Sequence, residues 1–402
     1  MRDKRLKILS KSEINELYDL PTFSHQEQQS YFHLNEKEFQ LMDSRGSLTS
    51  KVYFILQLGY FKATSQFFDF RLSDVKSDMQ FVLQHHFNGK KLSSDSISKD
   101  TRLSHKTLIA QLLSFETDKL IVKTKMEKLL ETKSRLSNNP VYLFHELLCY
   151  CSEHKLLLLG YTTIQELIGQ AIQCEEMRLE ELLLKHLSHQ DWRLIDQLLK
   201  NNNQDVFSAL KRDPKSFQKK HIKAEIKKIV DYETLYHVAQ KVLPKLDITP
   251  QNISYYSSLA EHYPIRDLGR LSATKQAIYI LCYVHHRHQK VNDNLTISFA
   301  YYVDKFGADA LDNAQKTIFD EKCEVNDDTQ NAALVFRFFD DEKISDKESF
   351  GSIRTRARKY VKKGNFNKVA DYLMGLLFDF RQTKWDEIAK LKHKITANLR
   401  LF

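Results

Sequence analysis

One stretch limits the possible folds of this chain more than any other. From Val52 to Phe61, ten residues are apolar except Gln57 and Gly59. A bilayer span takes roughly 20 apolar residues, so the run is too short to be one. Its apolar side chains occupy more than one face, which predicts a helix covered by protein on most sides. A buried strand is the alternative, because Val, Tyr, Phe and Ile favour strands. Length, and Thr49 or Ser50 as a helix cap just upstream, favour the helix. An Arg45–Gly46 step precedes it.

The rest of the chain agrees with an all-α fold. Only 10 glycines and 6 prolines punctuate 402 residues. All-β and parallel α/β folds need more turn residues than that. The length suggests two to four domains. The basic N-terminus, "MRDKRLKILSKSEINEL", lacks the apolar centre and cleavage site of a signal peptide, so a cytoplasmic location is expected. Five cysteines without a CxxC pair argue against a disulfide framework or zinc ribbon. The net charge of +9 favours a polyanionic partner.

Capping residues divide the first third into short helices. Ser10 or Ser12 caps "SEINELYDL", and Asn35 caps "EKEFQLMDS". Ser73 to Phe87 reads as a further capped helix. After a polar connection, Ser104 caps "SHKTLIAQLLSF". These last two helices are compatible with a helix-turn-helix, as they are with any antiparallel pair. The pattern resets at Asn138-Asn139-Pro140, where a boundary is expected. "VYLFHELLCYCSEHKLLLL" reads as a core helix. After Gly160-Tyr161-Thr162 comes the long amphipathic "TIQELIGQAIQCEEMRLEELLLKHL", a second candidate helix-turn-helix. Asn201 to Gln204 punctuates the next segment. The densest basic stretch follows, carrying Lys211, Arg212, Lys215, Lys219, Lys220, Lys223, Lys227 and Lys228. It is either a solvated helix face or a phosphate-contacting one. From Glu233 to Phe306 helix follows helix. Asp320 to Glu348 is acidic in patches, and Ser352 to Lys368 is basic. No repeat period emerges.

Catalytic patterns are missing. "HELLC" (His145 to Cys149) lacks the second histidine of the zinc-protease motif, so a core helix is expected there. The imidazoles of "HHRH" (His285 to His288) point to different helix faces and do not converge on a metal. No glycine-rich phosphate loop occurs. No spacing selects the carboxylate set that a metal-dependent nuclease needs to hold two cations.

Several spaced elements, in order, resemble the N-terminal domain (of the DUF4158 type) of Tn-three family replicative transposases. They are "LSKSEINELYDLP" (Leu9 to Pro21), "YFHLNEKEFQLMDSRG" (Tyr31 to Gly46) and "SKVYFILQLGYF" (Ser50 to Phe61), with Gln57-Leu58-Gly59-Tyr60 at the family's Gln-Leu-x-Tyr. Thr101, Arg102 and His105 match a Thr-Arg-x-x-His spacing, and "TTIQEL" matches Ser-Thr-Leu-Glu-x-Leu. "IRDLGRLSATKQ" is similar to a later family region, but Ser272 stands where proline is usual and Lys275 replaces an arginine.

This resemblance implies consecutive small helical DNA-binding modules, over residues 1–138 and 139–232, followed by a helical region, 233–402, for a third contact, linking or dimerisation. It implies sequence-specific binding of duplex DNA at a transposon's terminal inverted repeats. The residues implied in DNA contact are Arg45, Lys51, Thr101, Arg102, His105 and Lys106 in the first module. In the second they are Thr162, Thr163, Gln165, Lys211, Arg212, Lys215, Lys219, Lys220 and Lys223. Arg102 would either read a guanine or clamp a phosphate. The Asp-Asp-Glu triad and its magnesium would belong to a catalytic part outside this chain, so no cofactor is expected here. Partners would be DNA, a catalytic transposase chain or a second copy, with no membrane, in the bacterial nucleoid. The alternatives are a helical scaffold for a protein partner and a regulatory or relic fragment without cleavage activity.

Overall fold

Residues 6–92, 94, 96–199, 207, 208, 210–375 and 379–400 are described by the computed structural model. Among them the regular structure is helical, in eighteen α-helices, with one isolated parallel bridge between Glu116 and Leu156. No helix among the described residues is long and apolar enough to cross a membrane.

Reciprocal caps start the first three helices. Ser10, Ser24 and Asn35 each accept from the backbone three residues on, where Glu13, Glu27 and Glu38 bond back. These helices are α1 (Lys11–Tyr18), α2 (His25–Tyr31) and α3 (Glu36–Asp43). The apolar run forms α4 (Leu48–Thr64), capped by Ser47 rather than Thr49 or Ser50, which are buried within its first turn. Every residue from Val52 to Phe61 is buried. Helices α2, α3, α5 (Lys76–Phe87) and α6 (Lys99–Leu113) pack around it. Serine 73 does not cap α5, because a 3-10 turn over Leu72–Val75 comes first.

The polar interruptions of the run each have a partner. With its amide oriented to satisfy both groups, Gln57 donates to the Phe68 carbonyl at 3.0 Å and accepts from the Phe68 N–H at 3.2 Å. Gly59 faces the Phe32 ring, and a Cβ there would lie 2.3 Å from a ring carbon. Tyr60 donates to the buried Asp78 carboxylate at 2.7 Å, and the Gln28 amide reaches the other Asp78 oxygen at 2.7 Å. Helices α2, α4 and α5 are thereby tied by hydrogen bonds as well as by packing.

A second core joins α7 (Lys119–Leu136), α8 (Pro140–Glu153) and α9 (Tyr161–His186), with Ile8 and Leu9 from the N-terminal segment. The turn between α7 and α8 is buried at Asn138. Asn252 donates to the carbonyls of Ser134 and Arg135 at 3.0 and 3.1 Å, closing the end of α7. Asn138 donates to the Tyr256 hydroxyl at 2.7 Å. Both partners lie on α12 (Pro250–His262), more than a hundred residues along the chain. The expected α8 is shorter than its apolar sequence, since Lys155 turns left-handed at φ 50° and Leu156 leaves the helix for the bridge.

Helices α10 (His189–Leu199), α11 (Lys219–Val242), α13 (Ile265–Leu268) and α14 (Ala273–Phe336) continue the chain. Where the sequence suggested several helices, α14 is one helix of 64 residues. It is followed by α15 (Phe350–Tyr360), α16 (Asn365–Leu373), α17 (Phe380–Lys390) and α18 (Lys392–Leu399). The chain divides into two units, Met1–Gln204 with Leu235–His286, and Asp205–Thr234 with Arg287–Phe402. In the second, Ala332, Val361 and Val369 form a small core against Phe366.

Neither expected helix-turn-helix has the short turn of that motif. Eleven residues separate α5 from α6, and seven separate α8 from α9, against the three or four the motif uses. Ser94, between α5 and α6, lies beside the start of α4, where Thr49 donates to its carbonyl at 2.9 Å.

Candidate nucleic-acid interface

A helix start presents unpaired backbone N–H groups and a partial positive charge. The first unit brings two such starts to one place. Ser47 caps α4, accepting from Ser50 N–H at 3.2 Å. Ser98, not Ser104, caps α6, accepting from Thr101 N–H at 3.1 Å. Thr101 is therefore in the first turn of α6, its hydroxyl 2.8 Å from that of Ser98. Both starts line one open cleft of about 650 Å³, together with Arg45, Gly46, Ser104 and His105.

Arg45 is held at its rim. Its Nε donates to the Leu41 carbonyl at 3.2 Å and one terminal nitrogen to the Ser44 hydroxyl at 2.8 Å. The guanidinium is fixed at the end of α3, with no carboxylate partner among the described residues. Asp100 is the one acidic side chain among the described residues lining the cleft.

His105 closes the cleft from inside. It is fully buried, its Nε2 lies 3.1 Å from the Ser50 hydroxyl, and its ring meets Phe54 edge-on at 5.4 Å. Burial first, and the charge of Arg45 second, push its pKa down to about 4. The imidazole is neutral at physiological pH and ties the first turn of α4 to α6. Its place is between the helices rather than on an accessible surface.

The other expected residues are dispersed. Lys51 pairs with Asp43 at 2.6 Å, and Lys106 with Asp69 at 2.8 Å. Both pairs have an exposed carboxylate, and such pairs are cheaply exchanged for another anion. Arg102 lies in an adjoining pocket, 5.7 Å from the Tyr53 ring centroid. At the start of α9, Thr162 is exposed and Thr163 partly so. The N-terminal segment occupies this helix start. Gln165 donates to the Leu6 carbonyl at 2.7 Å, and the Tyr161 hydroxyl accepts from Leu9 N–H at 3.0 Å.

The basic stretch belongs to the second unit, and its charges are of two kinds. Lys215, Lys219, Lys220, Lys223 and Lys227 are exposed. Lys228 is buried, paired with Glu225 and donating to the Arg212 carbonyl. Arg287, also buried, donates to that carbonyl at 2.7 Å and to Asp213 at 2.6 Å, and Lys290 reaches Asp213 at 2.9 Å. Burial raises the Asp213 pKa, but the hydrogen bonds from Lys290 and Arg287 outweigh it and hold the carboxyl below its ordinary range. Lys211 lies 5.0 Å from the Phe207 ring centroid, and the Arg212 side chain is exposed. The turn before α11 is thus anchored from beneath, while the outer lysines stay in solvent.

Sequence reasoning did not anticipate Ser47, Ser98 or Ser50 at the cleft. The cap pattern was available in "SLTS" and "SKDT", but Thr49, Ser50 and Ser104 competed for the same role. Among the described residues no group of three or more His, Cys, Asp and Glu side chains suits a metal ion. Glu146 of "HELLC" pairs with Lys133 at 2.6 Å.

Residues 8–171 match the family model of a domain of unknown function, DUF4158. That domain is found at the N-terminus of Tn-three family transposases. The match covers 164 of the 402 residues and includes α4, α6 and the whole cleft. No curated protein matches the chain.

Proposed function

We propose that the chain binds duplex DNA in transposition, as an end-recognising part of a Tn-three type transposase, with the α4–α6 cleft gripping the sugar–phosphate backbone. The observation that carries this reading is the convergence of two capped helix starts and Arg45 on one open cleft. Backbone N–H groups, the Ser98 and Thr101 hydroxyls and a fixed guanidinium together form the donor set a phosphodiester accepts. Thr101 and the neighbouring Lys99 project from the first turn of α6. The exposed lysines of α11 add a second, sequence-independent grip. Base readout at the terminal inverted repeats falls to side chains beyond the cleft rim. Cleavage and strand transfer are assigned to no residue of this chain.

The test is fluorescence anisotropy with labelled duplex at several salt concentrations. Arg45→Ala should weaken binding about equally on every sequence and lower the slope of log K against log salt by about one. An unchanged slope would remove Arg45 and the cleft from the interface.

A separate observation favours a protein partner for the second unit. Phe336, Phe339, Phe350 and Trp385 are each more than 60% exposed there. The reading is that this unit docks a second copy or a catalytic transposase chain. Light scattering across a concentration series would show a dimer if the copy is the partner.

A further inference from the structure

Arg102 is a partly buried cation without a counter-ion among the described residues. Its Nε is buried and lacks a hydrogen-bond partner, and among the described residues no ion pair or hydrogen bond reaches its guanidinium. Asp69, whose charge reaches the adjacent Tyr53, is already held by Lys106 at 2.8 Å. Burying a guanidinium in this state is unfavourable, and native structures leave few such groups unsatisfied.

The surroundings indicate what would satisfy it. Arg102 opens into a pocket of about 330 Å³, distinct from the cleft but sharing Ser96 and Ile97 as a wall. Arg71 also lines it, as do Ser73 and Ser96. Among the described residues no carboxylate lines it. The back is rigid, since Tyr53 stacks on Phe70 at 4.5 Å and the Arg102 guanidinium sits beside that Tyr53 ring. Two arginines and two serines around a small space, with no acidic side chain among the described lining residues, suit a doubly charged, multi-oxygen anion. Arginine forks match phosphate oxygens two at a time.

We propose that this pocket is a phosphate-group site, with Arg102 and Arg71 holding oxygens of a phosphomonoester or phosphodiester. The inference stands apart from the reading of the cleft. It assigns Arg102 to clamping, because a guanidinium set beside a buried tyrosine is not presented to base edges. The phosphate comes either from a DNA backbone crossing the Ser96–Ile97 wall or from a small phosphate compound.

The experiment is calorimetric titration of the full chain with inorganic phosphate at fixed ionic strength, using wild type, Arg102→Gln and Arg102→Lys. Near-ultraviolet circular dichroism verifies that each variant is folded. Wild type should bind phosphate. Arg102→Gln should weaken it at least tenfold, and Arg102→Lys, which keeps the charge but not the fork, should fall between. A parallel DNA titration identifies the source. A salt slope smaller by about one in Arg102→Gln assigns the site to backbone phosphate. An unchanged slope with lost phosphate binding assigns it to a small phosphate compound. Phosphate binding in a chain that binds no DNA would sink the DNA reading and leave this pocket standing. Failure of wild type to bind phosphate, or equal binding by folded Arg102→Gln and Arg102→Lys, would overturn the proposal.

Discussion

Two helical glycines of the first unit should respond to the same substitution with opposite signs. At Gly59 an added Cβ would lie 2.3 and 2.5 Å from two carbons of the Phe32 ring and 3.2 Å from the Tyr31 carbonyl oxygen. Ordinary contact begins near 3.4 Å, so the ring must retreat by about 1 Å. It has little room to do so. Phe32 is fully buried, with Phe23 and Tyr60 packed on it at centroid distances of 5.5 and 5.8 Å. Overpacking of this kind costs about 1–3 kcal/mol. With the contact this close the upper end applies, and the gain in helix propensity of about 1 kcal/mol offsets only part. Gly59→Ala should therefore destabilise the first unit by about 1–2 kcal/mol. At Gly169, within α9, nothing lies within 4 Å of the added carbon. There Gly169→Ala should stabilise by about 0.5–1 kcal/mol. Urea unfolding followed by circular dichroism reads both as midpoint shifts at constant slope. Phe32→Leu, made in the Gly59→Ala background, should cost less than it does alone. A neutral or stabilising Gly59→Ala, or strict additivity with Phe32→Leu, would refute the packing argument.

Other outcomes follow from the buried polar groups. Asp78→Ala leaves the Tyr60 hydroxyl and the Gln28 amide without their shared acceptor. It should cost about 2–4 kcal/mol in the same urea experiment, with Tyr60→Phe costing less. His105 has a folded pKa of about 4 against 6.5 unfolded. Between these values the unfolded chain binds more protons, so stability is lost as pH falls from 6.5 towards 4. The loss is on the order of 2–3 kcal/mol. His86 and His285 are also depressed, chiefly by burial, and leave a residual slope. The difference between wild type and His105→Asn isolates the His105 share, and equal pH profiles would show that its burial is not the cause.

The central helix was legible because a ten-residue apolar run can be covered on all sides only in a core. Caps paired with glutamate three residues on were equally readable at Ser10 and Asn35. Local signals failed where several candidates stood together. Thr49 and Ser50 lost the cap of α4 to Ser47, and Ser104 lost that of α6 to Ser98, because tertiary packing chose where each helix began. Distance along the chain hid the rest. Nothing near Asn138 announces Asn252 or Tyr256, and nothing near Gln165 announces Leu6. At the proposed interface, Arg45 and Thr101 were singled out from a family pattern, but their shared cleft needed the fold. Lys51, Lys106 and His105 carried the right chemistry and were already paired or buried. Arg102 was left between base reading and phosphate clamping, a choice that turns on its burial.

The proposed role of the α4–α6 cleft is to grip DNA. Its most direct test is binding selection from a randomised duplex pool at physiological salt with competitor, run in parallel on wild type and Arg45→Ala. Wild type should enrich an extended motif. Arg45→Ala should enrich the same motif in smaller yield, since a phosphate contact sets affinity and not sequence. Equal recovery by both proteins, or no duplex retained by wild type, would contradict it.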